Sequence, residues 1–109
     1  MKASLLIEKY GFEKLTEASA DVEINHAFIG DLLSWVMGHA KSEDAWITIL
    51  GHPNIIAVAL LRELSCVFIA HDAQIQPETI EKANEEDFLI LKSPLSAFEI
   101  AKILISEGV

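Results

Sequence analysis

Three short runs in this chain, 45–50 (AWITIL), 66–70 (CVFIA) and 88–92 (FLILK), are apolar at almost every position and are separated by segments of helical character. A strand with apolar side chains on both sides cannot present either side to water. Such strands belong inside a parallel sheet that helices cover on both faces, joined by right-handed crossovers. The expected fold class is therefore α/β, in three layers, with a mostly parallel sheet between helices.

The remaining segments alternate to match. Residues 3–10 read as a short helix closed by Gly11, and 12–18 (FEKLTEA) as a short strand. In 21–29 (DVEINHAFI), Val22, Ile24, His26 and Phe28 share one face, which is a strand pattern. Helices are expected over 31–40, 54–64, 77–87 and 95–108. Asp31 stands where a carboxylate would cap the first of these. The acidic helix 77–87 turns Ile80 and Ala83 inward, and the last carries Leu95, Phe98, Ala101 and Ile105 as a stripe. Pro53, Pro77 and Pro94 each fall at an expected helix start, where a missing N–H costs little.

Composition narrows the functional classes. A chain of 109 residues fits one domain, here 1–109, and an apolar content of 51% separates it from disordered segments. The formal charge of −9 argues against nucleic acid or an anionic membrane as a general partner. A local anion site is still open, because backbone donors at a helix start do not depend on net charge. No stretch approaches the roughly 20 apolar residues of a membrane span. Glu8 and Lys9 interrupt the first apolar run too early for a signal segment. The lone cysteine, Cys66, lies inside an apolar run and reads as a small core residue, so a reducing cytoplasm is the expected location.

In sheets of this kind ligands approach the carboxyl ends of the strands. Those ends are 29–31 (Ile-Gly-Asp), 51–54 (Gly-His-Pro-Asn), 70–72 (Ala-His-Asp) and 92–94 (Lys-Ser-Pro). Gly51 permits a tight exit from its strand or the close approach of a ligand. If His52 caps the next helix, the N–H groups of Asn54 and Ile55 are left to cradle a small anion, with His52 as an adjustable donor. If Asn54 caps it, the cradle is filled and the turn is only a turn. Gly30 can take a positive φ, and Asp31 and Ser34 would be neighbours on a first helical turn, as a plain cap or as a grip on a ligand hydroxyl. His71 follows the next strand. The candidate ligand-binding residues are thus Gly51, His52 and Asn54, then Gly30, Asp31 and Ser34, then His71.

Other chemistry has less support. No HxxxH, HxH or cysteine-rich spacing supplies a metal set, so neither metal nor cofactor is expected. His39 suits a helix C-terminus, and His26, beside Val22 and Ile24, reads as a core histidine. The chain has no GxSxG, no phosphate loop and no distinctive Cys/His pair, so no catalysis is expected. Helix 31–38, with Leu32, Leu33, Trp35, Val36 and Met37, is more apolar than one buried face requires. So is helix 54–64, with Ile55, Ile56, Val58, Leu60, Leu61 and Leu64. A homodimer through one or both helices is expected; the alternative is that both are sandwiched within the protomer.

The blocks FIGDLLSWVMGHA, AWITILGHPNIIAVALL and LSAFEIAKIL resemble the DRTGG domain family, and the resemblance covers essentially the whole chain. It is strongest to small stand-alone members, labelled HPr serine kinase-like and found near hydrogenase genes in anaerobes. The family's domain also accompanies CBS pairs and phosphotransacetylases, and its fold is similar to the N-terminal domain of HPr kinase. The resemblance implies a regulatory or ligand-sensing domain without established catalysis of its own, and the polar residues clustered at the strand ends make a small anionic metabolite or nucleotide the expected ligand. The name-giving Asp-Arg and Thr-Gly-Gly elements would fall near 51–54 and 69–72, which here read Gly-His-Pro-Asn and Ile-Ala-His-Asp. HPr kinase activity does not carry over, because the phosphate loop it needs is missing.

Overall fold

A computed structural model describes all 109 residues. Its elements are α1 (Ala3–Tyr10), β1 (Glu13–Lys14), β2 (Ala27–Ile29), α2 (Leu33–His39), β3 (Ala45–Thr48), α3 (Asn54–Leu61), β4 (Cys66–Ile69), α4 (Pro77–Glu85), β5 (Ile90–Lys92) and α5 (Ala97–Ser106). The strands form one sheet in the order β1-β5-β4-β3-β2. β2 to β5 run parallel, and β1 pairs antiparallel with β5 at the edge.

Strand side chains alternate between faces, so each central strand feeds two cores. Trp46, Val67, Ile69 and Ile90 pack with α2, α3 and α4 on one face. Ile47, Phe68 and Leu91 pack with α1 and α5 on the other, where Phe12 meets Phe68 edge-on at 5.1 Å. Every residue of β3 and β4 is buried. Full burial of one large apolar side chain is worth on the order of 1.5–3 kcal/mol, so this strand pair outweighs any single cap or ion pair. The three-layer, mostly parallel α/β arrangement expected from the apolar runs is the one observed.

Several boundaries differ from expectation. α1 ends as expected on Gly11, whose φ of 73° is left-handed. The expected strand 21–29 is regular only over β2, with one isolated bridge from Lys2 to Glu23. His26, expected on the inner face, is exposed. Pro77 opens α4 as expected, but Pro94 lies before α5. Ser96 is the cap of α5: its side chain accepts from the Glu99 N–H and Glu99 returns a bond to the Ser96 N–H, both at 3.1 Å. In α5 the core face is Ile100 and Leu104, whereas Phe98 and Ile105 of the expected inner stripe are exposed. Counting spacing alone could not tell the two apolar stripes of this helix apart.

Between β1 and β2 the chain is held by side chains. Thr16 Oγ1 donates to the Phe88 carbonyl and accepts from the Ile90 N–H, standing in for a rung of the ladder. Asp87 accepts from both the N–H and the hydroxyl of Ser19. Asp21 accepts from the Ser4 N–H at 3.0 Å and its hydroxyl at 2.6 Å, capping α1 from a distant residue. These serine bonds hold both carboxyls below their ordinary value of 3.8. A carboxylate with a lowered folded pKa stabilises the fold above its unfolded pKa, and loses that contribution as pH falls through the folded value. The Asp21→Asn/Asp87→Asn variant should therefore melt below wild type at neutral pH. The two melting curves should converge in acid, below the ordinary carboxylate value, as read by circular dichroism.

Candidate functional site

The carboxyl edge of the sheet gathers the residues singled out from the sequence, but the topology leaves it without a crevice. Such a crevice opens where strand order reverses and crossovers change face. Here β2, β3, β4 and β5 follow one another without reversal, and α2, α3 and α4 all pack on the same face. None of the five principal cavities is lined by Gly30, Asp31, Ser34, Gly51, His52, Asn54 or His71.

Backbone contacts close this edge instead. A Cβ on Gly51 would stand 2.3 Å from the Gln74 carbonyl oxygen and 2.8 Å from Ile75 Cα. The close approach that Gly51 permits is thus that of the chain's own β4–α4 loop. Its carbonyl is also taken, accepting from the Gln76 N–H at 3.1 Å and Thr79 Oγ1 at 2.6 Å. Thr79, fully buried on α4, was not read as a site residue, because its partner lies 28 positions away.

The N-cap position of α3 is Pro53, and the side chain that meets the helix's first amide is that of His52, not of Asn54. Its Nδ1 accepts from the Asn54 N–H at 3.0 Å. The His52 carbonyl accepts from the Ile55 N–H and the Pro53 carbonyl from the Ile56 N–H, each at 3.0 Å. Capping by His52 was expected to leave the Asn54 and Ile55 donors free, yet His52 engages both of them. With Nδ1 accepting, the ring proton resides on Nε2, which becomes the outer donor of an exposed side chain.

Asp31 does not cap α2, whose first helical residue is Leu33. Its Oδ1 accepts from Thr48 Oγ1 at 2.7 Å and the Ile49 N–H at 2.9 Å, tying the β2–α2 loop to the end of β3. Asp31 and Ser34 therefore do not share a first helical turn, and Ser34 is exposed. Positive φ among the glycines is confined to Gly11 and Gly108, so Gly30 serves another need. A Cβ there would meet Phe28 at 3.1 Å and Val36 at 3.5 Å, and its carbonyl accepts from the Trp46 indole at 2.8 Å.

His71 and Asp72 adopt consecutive left-handed conformations, φ 58° and 52°. That backbone costs on the order of 1–2 kcal/mol per L-residue. It is offset by bonds from the His71 N–H to the Leu95 carbonyl and from the Asp72 N–H to the Ser93 carbonyl, each 2.8 Å. Asp72 also pairs with Lys92 at 3.5 Å. Nearby, the Ser96 bonds lower the Glu99 carboxyl, with a smaller contribution from His71. The edge thus exposes His52, Asn54, His71 and Asp72, and the N–H groups of Asn54, Ile55, His71 and Asp72 are engaged within the fold.

Elsewhere, burial pushes the Cys66 thiol up to about 12, as befits a core residue. No group of three or more His, Cys, Asp or Glu side chains is placed to hold a metal ion. No helix is long and apolar enough to cross a membrane. The apolar helices are partly consumed within the protomer: Ile55, Ile56, Val58 and Leu64 are buried, while Leu32, Trp35 and Leu61 are exposed. Trp35 is covered on one side by His39, which stacks on it at 3.8 Å.

Neither a family model nor a curated protein matches this sequence. Among solved structures, the chain is similar to the CBS and DRTGG domains of the regulatory region of Clostridium perfringens pyrophosphatase, complexed with the activator diadenosine tetraphosphate. The TM-score is 0.76 over 92% of this chain and 44% of the neighbour, at 13% identity. The likeness is one of fold, and the chain spans less than half the neighbour's length.

The Gly51 packing makes a graded prediction for this turn. Gly51→Ala drives a Cβ into backbone and should cost about 1–3 kcal/mol. His52→Ala removes one bond to the first amide of α3, worth about 1 kcal/mol, and Asn54→Ala should fall within about 0.5 kcal/mol of wild type. Urea denaturation midpoints would check the order.

Proposed function

We propose that residues 1–109 form a DRTGG-like, non-catalytic regulatory domain of the cytoplasm that senses a small anionic metabolite or nucleotide at the carboxyl edge of its sheet. The observation that carries this reading is the cluster of exposed polar side chains on that edge. His52 offers an Nε2 donor, His71 stands on the neighbouring loop, and Asn54 has both amide atoms uncommitted. Because the Asn54 and Ile55 N–H groups are engaged by His52, the ligand would be held chiefly by side chains: His52, Asn54 and His71 directly, with Ser34 at the rim. Gly51, Gly30 and Asp31 would act by holding the loops in register. The fold shared with a regulatory region that takes a nucleotide activator supports the same class of role.

A second reading, a homodimerisation or protein-interaction module without a small ligand, is favoured by the apolar side chains left in water. Leu32 and Trp35 on α2 and Leu61 on α3 are each more than half exposed. Large exposed apolar surface marks interfaces more often than it marks plain surface.

Thermal-shift screening over phosphates, nucleotides and acyl phosphates tests the first reading. A ligand at tenfold its Kd adds about 1.4 kcal/mol, which in a chain of this size raises the melting temperature by roughly 6 °C. The shift should vanish in His52→Ala and shrink in His71→Ala, each compared with its own ligand-free baseline. A screen without any shift, or an equal shift in both variants, would remove the site.

A further inference from the structure

We infer that the open edge of β2 and the outer stripe of α5 form a self-complementary interface for a second copy of this chain. This rests on the second reading above and moves the contact from α2 and α3 to α5 and β2. β2 ends the sheet, so it has a partner on one side only. Its bonds to β3 use alternate residues: the His26 carbonyl accepts from Ala45 at 2.9 Å, and Gly30 donates to Ile47 at 3.2 Å. In a parallel ladder this directs the backbone of Ala27 and Ile29 toward the open side. Though only three residues long, the strand carries no lysine, proline or charge of the kind that protects edges.

Beside that edge lies a groove of about 290 Å³ between β2 and α5, lined by Ala27, Ile29, Ala101, Leu104, Ile105 and Val109, with His26 as its one polar residue. The helix flanks it with Phe98, 76% exposed, and Ile105, 71% exposed; Ile29 is 51% exposed. With a large apolar side chain presenting about 200 Å², these three expose roughly 400 Å². That is about half of the 800 Å² or so each partner contributes to a standard interface. Ala27, Ala101, Val109 and the paired backbone add to that area.

Symmetry selects a second copy as the occupant. A two-fold axis near Phe28 would pair the two edges antiparallel, with Ala27 of one copy beside Ile29 of the other. On α5, Ala101 lies between Phe98 and Ile105, so the same axis brings Phe98 of one copy against Ile105 of the other across a small side chain. The groove exceeds the roughly 150 Å³ that admits a benzene-sized ring, so it has room for Phe98. No groove-lining residue is acidic, and chains of formal charge −9 would meet where like charges are absent. A closed, isologous contact of this kind is the commonest oligomer symmetry.

Sedimentation equilibrium of the full chain, with Ala101→Cys and Leu61→Cys variants for oxidative cross-linking, tests the interface. Buried Cys66 leaves the background clear. A dimer is expected, linked through Ala101→Cys and not through Leu61→Cys. Ile29→Lys and Phe98→Glu, at exposed positions, should each weaken it at least tenfold while retaining wild-type far-ultraviolet circular dichroism. A monomer up to roughly 100 µM, a dimer indifferent to both variants, or cross-linking through Leu61→Cys alone would overturn the inference. Failure here is distinguishable from failure of the ligand site: a monomer that keeps its His52-dependent thermal shift discards the interface and leaves the sensing role intact.

Discussion

The structure depends on two strands that are dry on both sides. β3 and β4 bury every residue, so neither can exist without a helical layer above and another below. That requirement draws α2, α3 and α4 to one face and α1 and α5 to the other. It also sends the weaker strands, β1 and β2, to the edges, where three or fewer residues suffice.

Because the parallel strands follow one another in order, their connecting loops lie side by side and bond to each other. Asp31 reaches Thr48 and Ile49, Gly51 receives Gln76 and Thr79, and His71 and Asp72 donate to the segment 93–95. The carboxyl edge is consequently a stitched seam with polar side chains standing on it. The exposed side chains on that seam, His52, Asn54 and His71, are the groups we propose for recognition. Apolar side chains left in water lie on α1, α2, α3 and α5 and on the open edge of β2, with Leu32 and Ile49 at the carboxyl edge.

Much of the fold was legible because it rests on local chemistry. The apolar runs announced the central strands, Gly11 and Pro77 marked helix ends, and the alternation of elements set the layer order. The failures have one cause, partners distant in sequence. Asp31 had every local reason to cap a helix, but Thr48 and the Ile49 amide lie close in space and claim its carboxylate. Phe98 and Ile105 fitted a helical stripe as well as Ile100 and Leu104 did, and only the position of the sheet decided which pair is covered. The segment 15–20 has too few apolar positions to show a period, because its order comes from Thr16 and Ser19 bonding across the fold to Phe88, Ile90 and Asp87.

By itself, the sequence determined the fold class, since the periodicity of apolar residues leaves no other way to keep water from both sides of β3 and β4. It also determined which loops carry polar side chains. Only the tertiary structure decided what those residues do. His52 engages the donors it was expected to free, and Gly51 is a point of backbone contact. Both outcomes depend on which loop packs against the turn, a through-space fact that no local spacing encodes.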